Sequence, residues 1–123
     1  HFYSGLSSQE IAELYAKASC AVVPSIYEGF GLPAGEAMAC GVPVITTNGG
    51  ALPEVVGDAG ITVQTRDHIA LADAIRTLLG DSNLRRTLAA KGRSRILELF
   101  SWEVAASDML QLYREVVSRK VPH

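Results

Sequence analysis

Short apolar runs alternate with helical periods along this chain, the arrangement that a parallel sheet with crossover helices requires. Ser7-Ser8-Gln9-Glu10 forms a capping box, in which a hydroxyl and a carboxylate satisfy the amides of a helix start. Ile11, Leu14, Tyr15 and Ala18 follow at i, i+3, i+4 and i+7 and predict an amphipathic helix. Residues 20–23 (Cys-Ala-Val-Val) are continuously apolar, as in a strand covered on both faces, and Pro24 ends the run. Pro33 opens a helix that reaches Cys40, since the first helical position needs no N–H, and Gly41 ends it. Residues 42–46 predict the next strand, with Pro43 near its start. A helical turn over 52–56 and a third strand over 60–63 complete the alternating part, and residues 1–3 read as the tail of another strand. Leu71, Ile75 and Leu78 then mark one helix, and Leu84, Leu88 and Ile96 a second. Ser101 caps a terminal helix over 102–119, whose stripe is Trp102, Ala106, Met109, Tyr113 and Val116.

The 123 residues allow one domain or part of one, and 48% hydrophobic with 20% charged residues suits a packed core. A formal net charge of -2 gives no basic excess for a nucleic acid or an anionic membrane. No apolar run approaches the ~20 residues of a membrane span, and no leader pattern opens the sequence. The expectation is a cytoplasmic protein, with any contact at the inner membrane face peripheral. Cys20 and Cys40 sit among small apolar residues and read as free, buried thiols rather than a disulfide. No metal site is expected, because no Cys-x-x-Cys pair occurs and His1, His68 and His123 are scattered.

The chemistry concentrates in Tyr27-Glu28-Gly29-Phe30-Gly31-Leu32-Pro33-Ala34-Gly35-Glu36, between a strand's carboxyl end and a helix start. In open α/β sheets that crevice is where ligands bind. Gly29 and Gly31 let backbone amides approach a ligand closely, and the helix opened by Pro33 offers unpaired N–H groups that suit a phosphate. Glu28 and Glu36 flank this cradle, and a carboxylate can accept paired hydrogen bonds from vicinal hydroxyls. A plain strand–turn–helix connection explains the two glycines equally well. Paired carboxylates also serve glycosidases, but a phosphate-type cradle has no use there. Asn48-Gly49-Gly50 reads as a turn in preference to a lining of the crevice. Trp102 reads as packing rather than a sugar platform.

The ten-residue block matches the Glu-x7-Glu signature of the retaining glycosyltransferases of GT-B fold, group 1 or family 4. Pro24-Ser25-Ile26-Tyr27-Glu28-Gly29-Phe30-Gly31-Leu32-Pro33, Glu36-Ala37-Met38-Ala39-Cys40-Gly41-Val42-Pro43-Val44, Gly50-Ala51-Leu52-Pro53-Glu54 and Phe100-Ser101-Trp102 resemble family blocks in the same order. The resemblance covers nearly the whole chain. It implies a partial Rossmann-like domain over 1–123, a three-layer α/β sandwich with a parallel sheet, equivalent to the later part of the carboxyl-terminal, donor-binding domain. It implies that Glu28 faces the donor sugar, with Gly29, Phe30, Gly31 and Leu32 around sugar and diphosphate. Glu36 would hold the ribose hydroxyls, and Gly5 would lie near the base. Pro24 and Ser25 fit packing and contact equally.

The resemblance further implies a nucleotide-diphospho-sugar donor, retention of configuration, and neither metal nor other cofactor. The family's acceptor-binding domain, its cationic pair for the diphosphate and two strands would lie upstream of the sequence. No Lys or Arg occurs between Lys17 and Arg66, which leaves the 28–36 segment without a local cation. Strand 20–23 would then have an open edge, and an open apolar edge invites cover by another chain, as in a homo-oligomer, or by a rearranged segment 1–3. Two alternatives stand beside transfer of a hexosyl group. One is a binding or association module without turnover, the reading preferred for this chain by itself. The other is a nucleotide-sugar epimerase of the same architecture.

Overall fold

The computed structural model describes residues 3–26, 29 and 31–99, with the backbone alone at Leu32 and Leu99. The elements alternate as α1 (Ser8–Lys17), β1 (Ala21–Val23), α2 (Leu32–Ala39), β2 (Val44–Thr47), α3 (Leu52–Val56), β3 (Ile61–Val63), α4 (His68–Gly80) and α5 (Ser82–Leu99). The three strands form a sheet in the order β1-β2-β3, parallel throughout, with Val22 opposite Ile45 and Ile45 opposite Ile61. This is the expected α/β class. The predicted terminal helix over 102–119 lies outside the described residues, as do His1 and Phe2, and Tyr3 belongs to no strand.

The local signals act as their chemistry demands. The Glu10 amide donates to the Ser7 hydroxyl at 3.2 Å, and the Ser7 amide donates to the Glu10 carboxylate at 3.4 Å, closing the capping box. Gly41 takes a φ of 73° after α2, and its amide reaches the Met38 carbonyl at 3.0 Å. Asp67 caps α4 by accepting from the Ala70 amide at 2.9 Å. The strands are shorter than the apolar runs: Cys20, Val42, Pro43 and Gly60 all fall outside them. Pro43 cannot donate to a ladder, yet its carbonyl accepts from the Ala21 amide at 2.9 Å and so starts the β1–β2 pairing.

Alternation along β2 divides the core in two. Val44 joins Met38, Ala34, Leu52, Val55 and Val56 on the face covered by α2 and α3. Ile45 joins Ala74, Leu78 and Leu88 on the face covered by α4 and the start of α5. The 18-residue α5 serves both: Leu84 and Leu88 pack on one face, while Ile96 packs on the other. Gly92 lets α5 approach α2 closely, since a Cβ there would stand 3.4 Å from Met38 Cγ.

Two expectations need correction. No residue of α1 is buried, and the stripe predicted through Ile11, Leu14, Tyr15 and Ala18 is half-covered at Ile11 and Tyr15 only. The helix lies on the flank of α2, so one edge of the stripe suffices to dock it. Both cysteines are free as expected, but Cys40 is exposed and Cys20 only half-buried. Cys40 caps the end of α2 on its outer side, while its neighbours Ala37 and Met38 face inward without it.

Candidate functional site

Position 31 sets the geometry of the segment that flanks α2. Gly31 is the N-cap of α2 with φ 66° and ψ 25°, a left-handed conformation that strains any residue with a Cβ. It is also buried, and a Cβ there would stand 2.7 Å from Val55 Cγ2. The glycine therefore lets the loop turn into α2 while pressed against α3. Among the described residues no side chain caps α2 and no acidic residue occupies its first turn. Its leading amides thus remain available for an anion, as the proline at its start anticipates.

Glu36 lies one turn further along α2 and is exposed. It opens onto a hollow of about 300 Å³ between α1 and α2, lined by Ser8, Ile11, Ala12 and Tyr15 from one side and Glu36, Ala39 and Cys40 from the other. The Tyr15 hydroxyl donates to the Pro33 carbonyl at 3.4 Å, which ties α1 to the first turn of α2. Burial raises the Tyr15 pKa above 10.0, and the nearby Glu36 and Cys40 push the same way. That phenol therefore stays a neutral donor beside the carboxylate. Gly5, with φ 68° and an open surrounding, lies three residues ahead of Ser8 on the approach to this hollow.

The structure thus brings together Gly31, the backbone of Leu32 and Glu36 on one helix end, with the start of α1 alongside. Gly29 is exposed on the preceding loop. Glu28 and Phe30 fall outside the described residues. No helix of the described residues is long and apolar enough to cross a membrane.

Three features were not anticipated from sequence. The Thr47 hydroxyl donates to the Ser25 carbonyl and accepts from the Gly49 amide at 3.4 Å, joining the loops that follow β1 and β2. Gly49 itself is buried against that loop, for a Cβ there would stand 2.5 Å from the Ile26 carbonyl oxygen. The turn 48–50 is therefore a brace as well as a turn, and the Asn48 side chain extends it by accepting from the Thr65 amide at 3.0 Å. Arg95 donates from α5 to the Val55 and Glu54 carbonyls at 2.9 and 2.8 Å, capping the end of α3 behind Gly31. Finally, Arg66 and His68 line a hollow of about 120 Å³ with Pro24, Thr47 and Val63 at the strands' carboxyl ends. The stretch from Lys17 to Arg66 lacks cations in sequence, but the β3–α4 turn returns one to the same end of the sheet. The signal that could have found Thr47 is its place as the last residue of the central strand, at the carboxyl end of the sheet.

Comparison with known proteins agrees with this architecture. Residues 1–95 match the family described as glycosyl transferases group 1. The MMP alpha-(1->4)-mannosyltransferase of Mycolicibacterium hassiacum is 43% identical over 122 residues, 97% of this chain and 30% of that protein. The O-antigen chain mannosyltransferase B of Escherichia coli is 42% identical over 106 residues, 86% of this chain and 28% of that protein. Among solved structures, the sucrose-phosphate synthase of Thermosynechococcus elongatus superposes with a TM-score of 0.82 at 43% identity, covering 98% of this chain and 31% of that one. The C-terminal domain of a glycosyl transferase group 1 family protein from Francisella tularensis gives 0.72 at 35% identity, covering 81% and 52%. The chain thus spans about 30% of the length of the curated relatives it matches. With its parallel sheet, its strand–turn–helix crevice and this match over most of its length, the chain belongs to the group 1 glycosyl transferases and shares their GT-B type of α/β fold.

Proposed function

We propose that this chain supplies the donor half of a retaining glycosyltransferase that takes a nucleotide-diphospho-sugar and moves a hexosyl group to an acceptor. The observation that supports this reading is the pairing of an uncapped α2 start with Glu36 one turn on, open to the hollow beside α1. Amides there donate to the diphosphate oxygens, and a carboxylate five residues along accepts from the two ribose hydroxyls. Glu28, three positions before Gly31 in the sequence, holds the hydroxyls of the donor sugar and so orients its anomeric carbon. Gly29, Phe30 and Leu32 present backbone amides around sugar and diphosphate, and Gly5 borders the base. Retention then follows from attack on the face that the phosphate leaves, with the departing phosphate oxygen taking the acceptor's proton. Transfer belongs to the longer protein, and the chain by itself binds donor without turnover. The outer edge of β1 receives a further strand from that protein or from a second copy.

Calorimetry with UDP-glucose, GDP-mannose and ADP-glucose tests the reading. One of these donors binds, and Glu36→Ala weakens it by roughly 10-fold or more, the loss of a charged hydrogen-bonded pair. Glu28→Ala in the full-length protein abolishes transfer while the nucleoside diphosphate still binds. Unchanged affinity in the Glu36→Ala variant would sink the assignment of that carboxylate.

A further inference from the structure

We propose that Arg95 is a positioning residue of the donor site, acting through α3 on the start of α2; the proposal rests on the function just given. The link runs through described residues at every step. The Arg95 guanidinium donates from Nε to the Val55 carbonyl at 2.9 Å and from Nη2 to the Glu54 carbonyl at 2.8 Å. Gly57 gives it room, since a Cβ there would overlap the guanidinium carbon. The side chain of the same Val55 bears on Gly31, where a Cβ would stand 2.7 Å from Val55 Cγ2. Gly31 is the buried N-cap from which the amides of α2 run.

The five residues of α3 make little more than one helical turn, with few internal bonds, so the helix is held by what grips its ends. Val55 is buried and carries both contacts: α5 holds its carbonyl, and its side chain supports α2. A second touch lies one turn along α2, where a Cβ on Gly35 would meet Val55 Cγ1 at 4.0 Å and Ile96 Cδ1 at 3.9 Å. The leading turn of α2 therefore rests on α3 and α5 together. Without the guanidinium, two carbonyls at the end of α3 lose their donors and turn toward water, and Val55 no longer fixes the height of Gly31. Hydrogen bonds weaken steeply as a donor leaves its line, so amides aimed at a diphosphate lose strength with a small shift. Arg85, near the start of α5, makes bonds of the same kind to the Leu78 and Leu79 carbonyls of α4, at 2.6 and 2.9 Å. No residue assigned to the donor lies on α4, which makes Arg85 the matched comparison.

Calorimetry on the full-length protein tests the assignment, with UDP, GDP and ADP as probes and at a temperature where circular dichroism shows each variant folded. The wild type binds one of the three. Arg95→Met weakens that binding about 10-fold, the worth of about one charged hydrogen bond. Arg95→Lys keeps the charge but cannot bridge two carbonyls, and still loses at least about threefold. Gly57→Ala retains Arg95 but displaces its guanidinium, and it weakens binding as Arg95→Met does. Arg85→Met lowers the melting temperature and, far from the donor, keeps the affinity within about twofold. Wild-type affinity in Arg95→Met or in Gly57→Ala overturns the proposal. So does full recovery in Arg95→Lys, which makes the effect one of charge, or an equal loss in Arg85→Met, which makes it one of general stability. A wild-type protein that binds none of the three diphosphates overturns the functional reading and the proposal with it, and the wild-type titration by itself reports that outcome.

Discussion

Thr46 and Thr47 are adjacent, both buried and on opposite faces of β2, yet among the described residues only the Thr47 hydroxyl finds hydrogen-bond partners. The Thr46 hydroxyl is fully buried at 0% exposure and has no hydrogen-bond partner among the described residues. It gives up its hydrogen bonds to water on folding and gains none in return. A buried, unsatisfied polar group of this kind costs about 1–3 kcal/mol. Thr46→Val puts a methyl group of similar size in its place and leaves strand preference intact, so the chain gains about 1–2 kcal/mol in stability, the lower part of that range. For a domain of this size the gain is a rise of roughly 3–8 °C in melting temperature. Urea unfolding followed by circular dichroism checks it: the midpoint moves up and the slope m stays constant. Thr46→Ser is the control, because it keeps the hydroxyl and loses the methyl, and its midpoint falls. A Thr46→Val midpoint at or below wild type would refute the reasoning, for it would mean that the hydroxyl has a partner or that the cavity cannot accept the methyl.

The surrounding packing gives further tests. Gly31→Ala combines a left-handed φ with a Cβ 2.7 Å from Val55 Cγ2, and costs about 2–4 kcal/mol by denaturant titration. Arg95→Met keeps the aliphatic stem but removes the donors that cap the Glu54 and Val55 carbonyls, and destabilises by about 1.5–3 kcal/mol in the same assay. Cys40 is exposed in the hollow beside Glu36, whereas burial raises the pKa of the Cys20 thiol and holds it in the less reactive form. Iodoacetamide at pH 8 therefore modifies Cys40 first, read by peptide mass mapping, and a bound nucleotide sugar slows that reaction without altering Cys20.

The parts of the fold that rest on near neighbours in sequence were legible. The capping box at Ser7 and Glu10, the Pro33 start and the Gly41 end are decided within four residues, and the structure shows each. What sequence pattern leaves out is anything that depends on which backbone arrives from elsewhere. Periodicity tells that Thr46 and Thr47 face opposite sides of the sheet, but only parallel pairing with β1 brings the Ser25 carbonyl to one of them. Arg95 reaches carbonyls 40 and 41 positions away, a distance at which no local signal operates. Cys40 misled because its neighbours are small and apolar, while its own place at the end of α2 faces outward. In the candidate site, Glu36 and Gly31 were readable from residue type and spacing. The hollow that gives Glu36 its setting was not, since it exists only where α1 docks beside α2.

The path of α5 has a consequence for how the molecule responds to a ligand. A helix that packs through Gly92 and Ile96 on the core of Met38 and through Leu88 on the core of Ile45 and Leu78 makes the two cores share their fluctuations. Opening α2 to solvent strips α5 of half its footing and so loosens α4 as well. A molecule bound at the head of α2 therefore tightens amides in α4 that it never touches, through the shared helix rather than through any wire across the sheet. α5 acts as the common fastener by which occupancy on one face is felt as rigidity on the other.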